Sequence, residues 1–167
     1  RDGGRLDAAN LLFLEVRRHV AAGEPSAVLR HPYLLSLLRM RRPRRVTEAL
    51  IRAVYEVELR GFEARSDPEA ARQHFVNMVY PRFSALYESR GGLEGTDVDV
   101  SFLLHATTST PPRHDVASAI IAEASANGRA TDYMRSLAAH VAGPISIAPG
   151  DSATLADAGQ AFAVGDI

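Results

Sequence analysis

The side chains available for chemistry in this sequence are those of histidine, tyrosine, serine, threonine, arginine and the acidic residues, because cysteine, tryptophan and lysine are absent. The absence of cysteine excludes disulfides, thiolate metal sites and thiol catalysis. The absence of lysine excludes a lysine Schiff base and a P-loop lysine. Arginine without lysine, together with abundant alanine, is typical of a GC-rich bacterial genome.

A ligand pocket is predicted around Pro81, which interrupts a helical pattern directly after Tyr80. Proline removes a backbone hydrogen bond, so it kinks the helix or restarts it and opens space beside the chain. His74 and Asn77 are three residues apart and can share one helical face. The pocket candidates are His74, Asn77, Tyr80, Tyr87 and His105. The structural alternative is a buried kink whose polar side chains are satisfied within the fold.

The densest charge is a cluster of five arginines within seven positions, which could contact an anionic ligand or an acidic protein partner. Its members are Arg39, Arg41, Arg42, Arg44 and Arg45. The alternative is a solvated corner that pairs with the acidic half of the chain, because residues 91–167 hold three arginines against nine acidic residues. Nucleic acid is disfavoured by the net charge of −1 and by the lack of interleaved aromatic residues.

Two further clusters have weak chemical signals. Asp97 and Asp99 would share one face of a strand and could bind a cation, although an exposed polar face is the simpler interpretation. The hydroxyl-rich residues 107–110 could hold a phosphate or a nucleophile, or could simply connect two elements. The sequence contains no His-Glu-x-x-His, His-x-His, Glu-x-x-His or Asp-x-x-x-His motif, so we expect no metal and no cofactor.

Helical patterns cover most of the chain. The spacing predicts helices over residues 7–22, 25–40, 44–64 and 67–90, then over segments that begin at Asp115 and Thr131. The first of these is apolar on nearly all sides, which favours deep burial or an interface. In the third, Val46, Leu50, Ala53 and Val57 form one apolar stripe.

A strand is predicted where the period changes to two, over residues 98–104, and it would pair with residues 145–148. A capped helix that starts after Thr96 fits the same residues. The fold class is therefore mainly α, a single compact domain of five to seven helices with this small β annex as an open alternative. Residues 1–149 form the helical domain, and residues 150–167 are an Ala/Gly/Asp-rich tail that docks on the domain or on a partner.

The sequence favours a helical binding or accessory protein that acts through apolar helix surfaces or an internal small-molecule pocket. A small metal-free enzyme that uses His, Tyr, Asp or Arg groups and an arginine-cluster nucleic-acid binder are the alternatives. We expect a homo-oligomer or a protein partner, since the first helix and residues 33–38 are apolar on more than one side. A cytoplasmic location is expected without an apolar run of roughly 20 residues. The first residue is Arg1 rather than Met, which leaves open whether residues precede it.

Overall fold

The computed structural model of the protein describes residues 7–142, and within this range the chain forms eight helices and no strand. The first three helices are α1 (Ala8–Ala21), α2 (Pro25–Leu29) and α3 (Leu34–Arg39). Two longer helices are interrupted: α4 comprises Arg44–Val54, a π turn at Tyr55–Leu59 and Arg60–Ala64, and α5 comprises Pro68–His74, a π turn at Phe75–Val79, Tyr80–Phe83 and the 3₁₀ turn Ser84–Leu86. The last three helices are α6 (Thr96–Ala106), α7 (His114–Ala126) and α8 (Asp132–Ala142). The predicted mainly helical, single compact domain is confirmed.

Several helices begin where the sequence places a capping side chain. The Asp7 carboxylate accepts a hydrogen bond from the backbone N–H of Ala9 at 2.8 Å, and α1 starts at the next residue after Asp7. Asp67 does the same for α5 through Ala70 at 3.0 Å. Each cap satisfies an N–H group that has no partner inside its own helix, which stabilises the helix by about 1 kcal/mol.

Helix α6 forms the centre of the fold, and the strand prediction for residues 98–104 is wrong. Nearly every residue of α6 is buried, because α4, α7 and α8 pack around it. The alternation of apolar and polar residues resembles a strand, but here the polar residues Asp97, Asp99 and Ser101 are buried in the helix together with the apolar ones. With this segment helical, the described chain has eight helices rather than the predicted five to seven. The proposed pairing strand, residues 145–148, lies outside the described residues.

The polar residues of α6 are held by arginines from neighbouring segments. Asp97 accepts a hydrogen bond from Arg52 Nε at 2.8 Å. The fully buried Asp99 accepts from Arg90 Nη2 at 2.6 Å and from Arg129 Nε at 3.2 Å. These carboxylates are ion-pair partners inside the fold, so the interpretation as an exposed polar face is wrong.

The π turns alter which faces of the long helices are buried. A π turn inserts one extra residue, which rotates the following residues around the helix axis by about 100° relative to a regular helix. Val46, Leu50 and Ala53 are buried as the stripe predicts, but Val57 is 43 % exposed and Leu59 is buried instead. The stripe prediction therefore fails after the π turn begins.

Helix α1 lies at the edge of the domain and packs on α4 and α2. Only Val16 of this helix is buried, and Leu11 and Leu14 are each 47 % exposed. The expectation of deep burial is wrong because neighbouring helices cover only one side of α1. Of the helices in residues 7–142, none has both the length and the apolar character that a bilayer span requires.

Candidate functional site

A groove with an apolar floor runs between α1 and α4. Its first cavity, of about 410 Å³, lies where α4 begins and is lined by Asn10, Phe13, Leu14, Arg17, Pro43, Arg44, Arg45 and Val46. A second cavity, of about 340 Å³, continues along the same two helices and is lined by Arg17, Val20, Ala21, Arg45, Glu48, Ala49 and Arg52. The two cavities share Arg17 and Arg45, so we treat them as one site and call it the α1–α4 groove.

Helical spacing explains why these residues line one surface. On α1, Phe13, Arg17 and Val20 recur three or four positions apart, and such residues lie on one face of a helix. On α4, Arg45 and Arg52 are separated by two helical turns. A third cavity of about 290 Å³ extends the groove past Arg52 toward Glu56 and Arg60. From residue 44 to residue 60 the groove follows about 24 Å of helix.

The groove has an excess of positive charge. Arg44 pairs with Glu48 at 3.2 Å and with Glu94 at 3.3 Å, which neutralises it locally. Arg52 donates to Asp97, and this carboxylate raises the pKa of the Arg52 guanidinium.

By contrast, Arg17 and Arg45 are exposed, and neither has a carboxylate within 4.0 Å among residues 7–142. The two arginines shared by both cavities are thus the cations that an incoming acidic group can pair with.

The predicted arginine cluster separates into three structural roles. Arg42 is half-buried and donates to the carbonyl oxygens of Leu37, Leu38 and Ala85 at 2.6, 2.5 and 3.0 Å, so it caps the end of α3 and joins it to α5. Burial lowers the pKa of the Arg42 guanidinium. Arg44 and Arg45 line the α1–α4 groove, whereas Arg39 and Arg41 are exposed outside it.

Sequence reasoning missed the contributions of Arg17 and Arg52 to this surface. Arg17 follows Phe13 by four positions on an amphipathic helix, and this spacing was the available signal. Which face of α1 meets α4 depends on tertiary packing, and the local pattern does not encode it.

A separate cavity, of about 380 Å³, brings three of the five predicted pocket residues together. It is lined by Tyr80, Ser84, Ala85, Tyr87, Glu88 and His105, and we call it the aromatic pocket. The His105 ring centroid lies 5.2 Å from that of Tyr80 and 5.5 Å from that of Tyr87. Burial, and then the charge of Arg113, lowers the pKa of His105.

The other two predicted pocket residues lie elsewhere. His74 Nε2 is 3.0 Å from Glu58 Oε2, and this contact joins α5 to the π turn of α4. Asn77 is exposed within the π turn of α5. Pro81 follows that π turn, so the widened turn accommodates the proline, and the cavity forms beside Tyr80 on the side that faces α6.

Two residues of the hydroxyl-rich segment 107–110 have structural partners. Thr107 and Thr108 donate their hydroxyl protons to the carbonyl oxygens of Leu104 and His105, so they close the end of α6. Within residues 7–142, no three histidine or acidic side chains converge in a way that could hold a metal ion.

Comparison with known proteins relates the chain to a family. Searches of the curated proteins and of the solved structures each returned no match. A family model described as DpdD-like matches residues 1–167, so the match includes the α1–α4 groove and the aromatic pocket. The chain belongs to the DpdD-like family.

Proposed function

We propose that this protein is a helical binding protein whose α1–α4 groove takes an acidic, amphipathic segment of a partner protein. One observation carries the proposal: Arg17 and Arg45 border both cavities of an apolar groove, and neither has a carboxylate partner among residues 7–142. An acidic side chain of the partner would pair with these cations while its apolar side chains fill the floor.

The dimensions of the groove favour a peptide segment over a small anion. The floor of the first cavity is built from Phe13, Leu14, Pro43 and Val46, which offer an anion no hydrogen-bond donor from their side chains. Helix-in-groove recognition uses such a surface, with apolar anchors at helical spacing and charged residues beside them. About 24 Å of groove corresponds to about 16 residues of helix.

The acidic residues of the groove argue against nucleic acid as the occupant. Glu48 lines the second cavity and Glu56 lines its extension. These carboxylates would repel a phosphate backbone, whose binding depends on a continuous basic surface. A protein segment can place its own polar residues opposite them.

The exposed leucines of α1 support a protein partner. Leu11 and Leu14 are each 47 % exposed, and Leu14 also lines the first cavity. An apolar patch beside a charged groove is typical of an interaction surface. A partner helix in the groove would cover Leu14 and extend over Leu11.

Fluorescence anisotropy with a labelled peptide tests the proposal. The probe is an amphipathic peptide of about 16 residues with leucines at helical spacing and flanking glutamates. We expect a dissociation constant on the order of 10 µM for the unaltered protein. The double variant Arg17→Ala/Arg45→Ala should bind about tenfold more weakly, and the matched control Arg39→Ala/Arg41→Ala should bind as the unaltered protein does.

Three outcomes would overturn the assignment of the groove as a docking site for a partner protein. One is equal binding by the groove variant and the control, which would mean that charge anywhere on the surface suffices. Another is tight binding of random-sequence duplex DNA with steep salt dependence, which would indicate a nucleic-acid surface. The third outcome is a dimer in size-exclusion chromatography without peptide, which would mean that a second copy of this chain occupies the groove.

A further inference from the structure

The aromatic pocket has no lining residue in common with the α1–α4 groove, and its chemistry differs. Its volume of about 380 Å³ falls within the range of small-molecule sites, which is roughly 300–1,000 Å³. Its walls come from the end of α5, from the residues that follow it and from the last turns of α6. The pocket is therefore an independent feature of the fold.

The rings of this pocket are held in place from behind. The Tyr87 ring meets the buried rings of Phe75 and Phe102 edge-on, with centroids 5.2 and 5.6 Å apart. The His105 ring lies nearly parallel to that of Tyr87, at an interplanar angle of 23°. Rings packed in this way are preorganised, so a ligand that contacts them loses little affinity to side-chain ordering.

Glu88 supplies the one negative charge among the lining residues. Its side chain is exposed, and no arginine or histidine in residues 7–142 lies within ion-pair distance of it. Arg42 acts on Glu88 at longer range, but its guanidinium is already bonded to the carbonyl oxygens of Leu37, Leu38 and Ala85.

Burial favours the uncharged forms of two lining groups, Tyr87 and His105. Burial raises the pKa of the Tyr87 hydroxyl, which keeps its proton. Burial, assisted by Arg113, lowers the pKa of His105, so the imidazole does not add a positive charge there. The lining itself therefore consists of aromatic rings beside a single carboxylate, and Arg42 and Arg113 act on it only from outside the lining.

We propose that the aromatic pocket binds a small organic cation of the alkylated-ammonium class, either as a free molecule or as the end of a side chain. The rings of Tyr80 and His105 line the cavity and would attract the cation through their π electrons, as aromatic rings do for cations within about 6 Å. Glu88 supplies the opposite charge, and the methyl groups of such a cation pack against Ala85 and the rings. An inorganic cation would lose its hydration shell here without gaining enough oxygen ligands.

NMR titration tests this proposal with choline and with 3,3-dimethylbutan-1-ol, which has the shape of choline but no charge. We expect choline to shift the resonances of Tyr80 and His105, with a dissociation constant on the order of 1 mM. The neutral analogue should bind about tenfold more weakly. A trimethyllysine peptide run beside choline identifies the source of the cation, because tighter binding of the peptide would mean that a protein side chain presents it.

Variants separate the pocket from general effects on folding. Glu88→Gln and Tyr80→Leu should each weaken choline binding about fivefold or more, since each removes one of the attractions. Tyr33→Leu is the matched control, because Tyr33 is 58 % exposed and lies outside the pocket. Thermal unfolding checks that each variant folds. Equal binding of choline and its neutral analogue, or unchanged binding by Glu88→Gln, would overturn the proposal, as would the absence of shifts at Tyr80 and His105.

Discussion

Asp99 is the least exposed charged residue within residues 7–142, and its removal should destabilise the fold strongly. Its carboxylate is fully buried in α6 and is shared by Arg90 and Arg129, at 2.6 and 3.2 Å. Both arginines also approach Glu123, at 2.5 and 3.7 Å. Asp99→Asn keeps the size of the side chain but removes its charge, so two partly buried guanidinium groups would share one exposed carboxylate.

The expected loss follows from the two hydrogen bonds and the buried charge. Breaking a buried ion pair by neutralising one partner costs about 3–5 kcal/mol, because the remaining charge is left uncompensated. The asparagine carbonyl can still accept one hydrogen bond, so we expect about 3 kcal/mol for Asp99→Asn. For a domain of this size that corresponds to a drop in melting temperature of roughly 6–12 °C.

Urea unfolding followed by circular dichroism measures this loss. The matched control is Asp132→Asn, since the Asp132 side chain is fully exposed and forms an ion pair with Arg135 at 2.6 Å on the surface of α8. Exposed pairs contribute little, so the control should unfold as the unaltered protein does. A loss for Asp99→Asn below about 1 kcal/mol would refute the reasoning, because it would mean that the buried network adds no net stability.

Two further predictions concern single side chains of the fold. Arg42→Lys should lower the free energy of unfolding by about 1–2 kcal/mol, because one ammonium group cannot reach both the end of α3 and the Ala85 carbonyl. Arg41→Lys is the exposed control. Equal free energies of unfolding for the two variants would contradict the capping role of Arg42. The lowered pKa of His105 makes stability fall as the pH drops below 6.5, because the unfolded chain takes up a proton that the folded chain binds more weakly. Urea unfolding from pH 5 to 7.5 gives the free energy of unfolding at each pH, and its slope against pH should be smaller for His105→Gln than for the unaltered protein. An unchanged slope would contradict the lowered pKa of His105 in the folded protein.

The starts of three helices could be predicted from the sequence because they depend on local capping chemistry, whereas the helix predicted to begin at Asp115 starts at His114 without a side-chain cap. Asp7, Asp67 and Thr131 each accept a hydrogen bond from a backbone N–H in the first turn of the helix that they precede. The apolar and polar residues of α6 alternate as they would in a strand, although α6 is a helix surrounded by other helices that buries its polar positions too. Asp97 and Asp99 are buried only because Arg52, Arg90 and Arg129 reach them from other elements.

The candidate sites could be predicted only in part, for the same reason. Tyr80, Tyr87 and His105 line one cavity, where the residues that follow the π turn of α5 meet α6. Nothing local indicated that His74 would pair with Glu58 instead. The division of the arginine cluster into capping, groove and exposed members likewise follows from how α1, α3 and α5 pack around it.

The charge-reversed groove tests the central claim most directly. Arg17→Glu/Arg45→Glu replaces the two arginines that border both cavities of the α1–α4 groove with carboxylates and leaves its apolar floor intact. The anisotropy titration is then run with two peptides that share the same leucines but carry either glutamates or lysines at the flanking positions. We predict that the unaltered protein prefers the glutamate peptide and that the double variant prefers the lysine peptide, whereas Arg39→Glu/Arg41→Glu keeps the original preference. The same peptide preference in the unaltered protein and in the groove variant would contradict the assignment of this groove as the docking site.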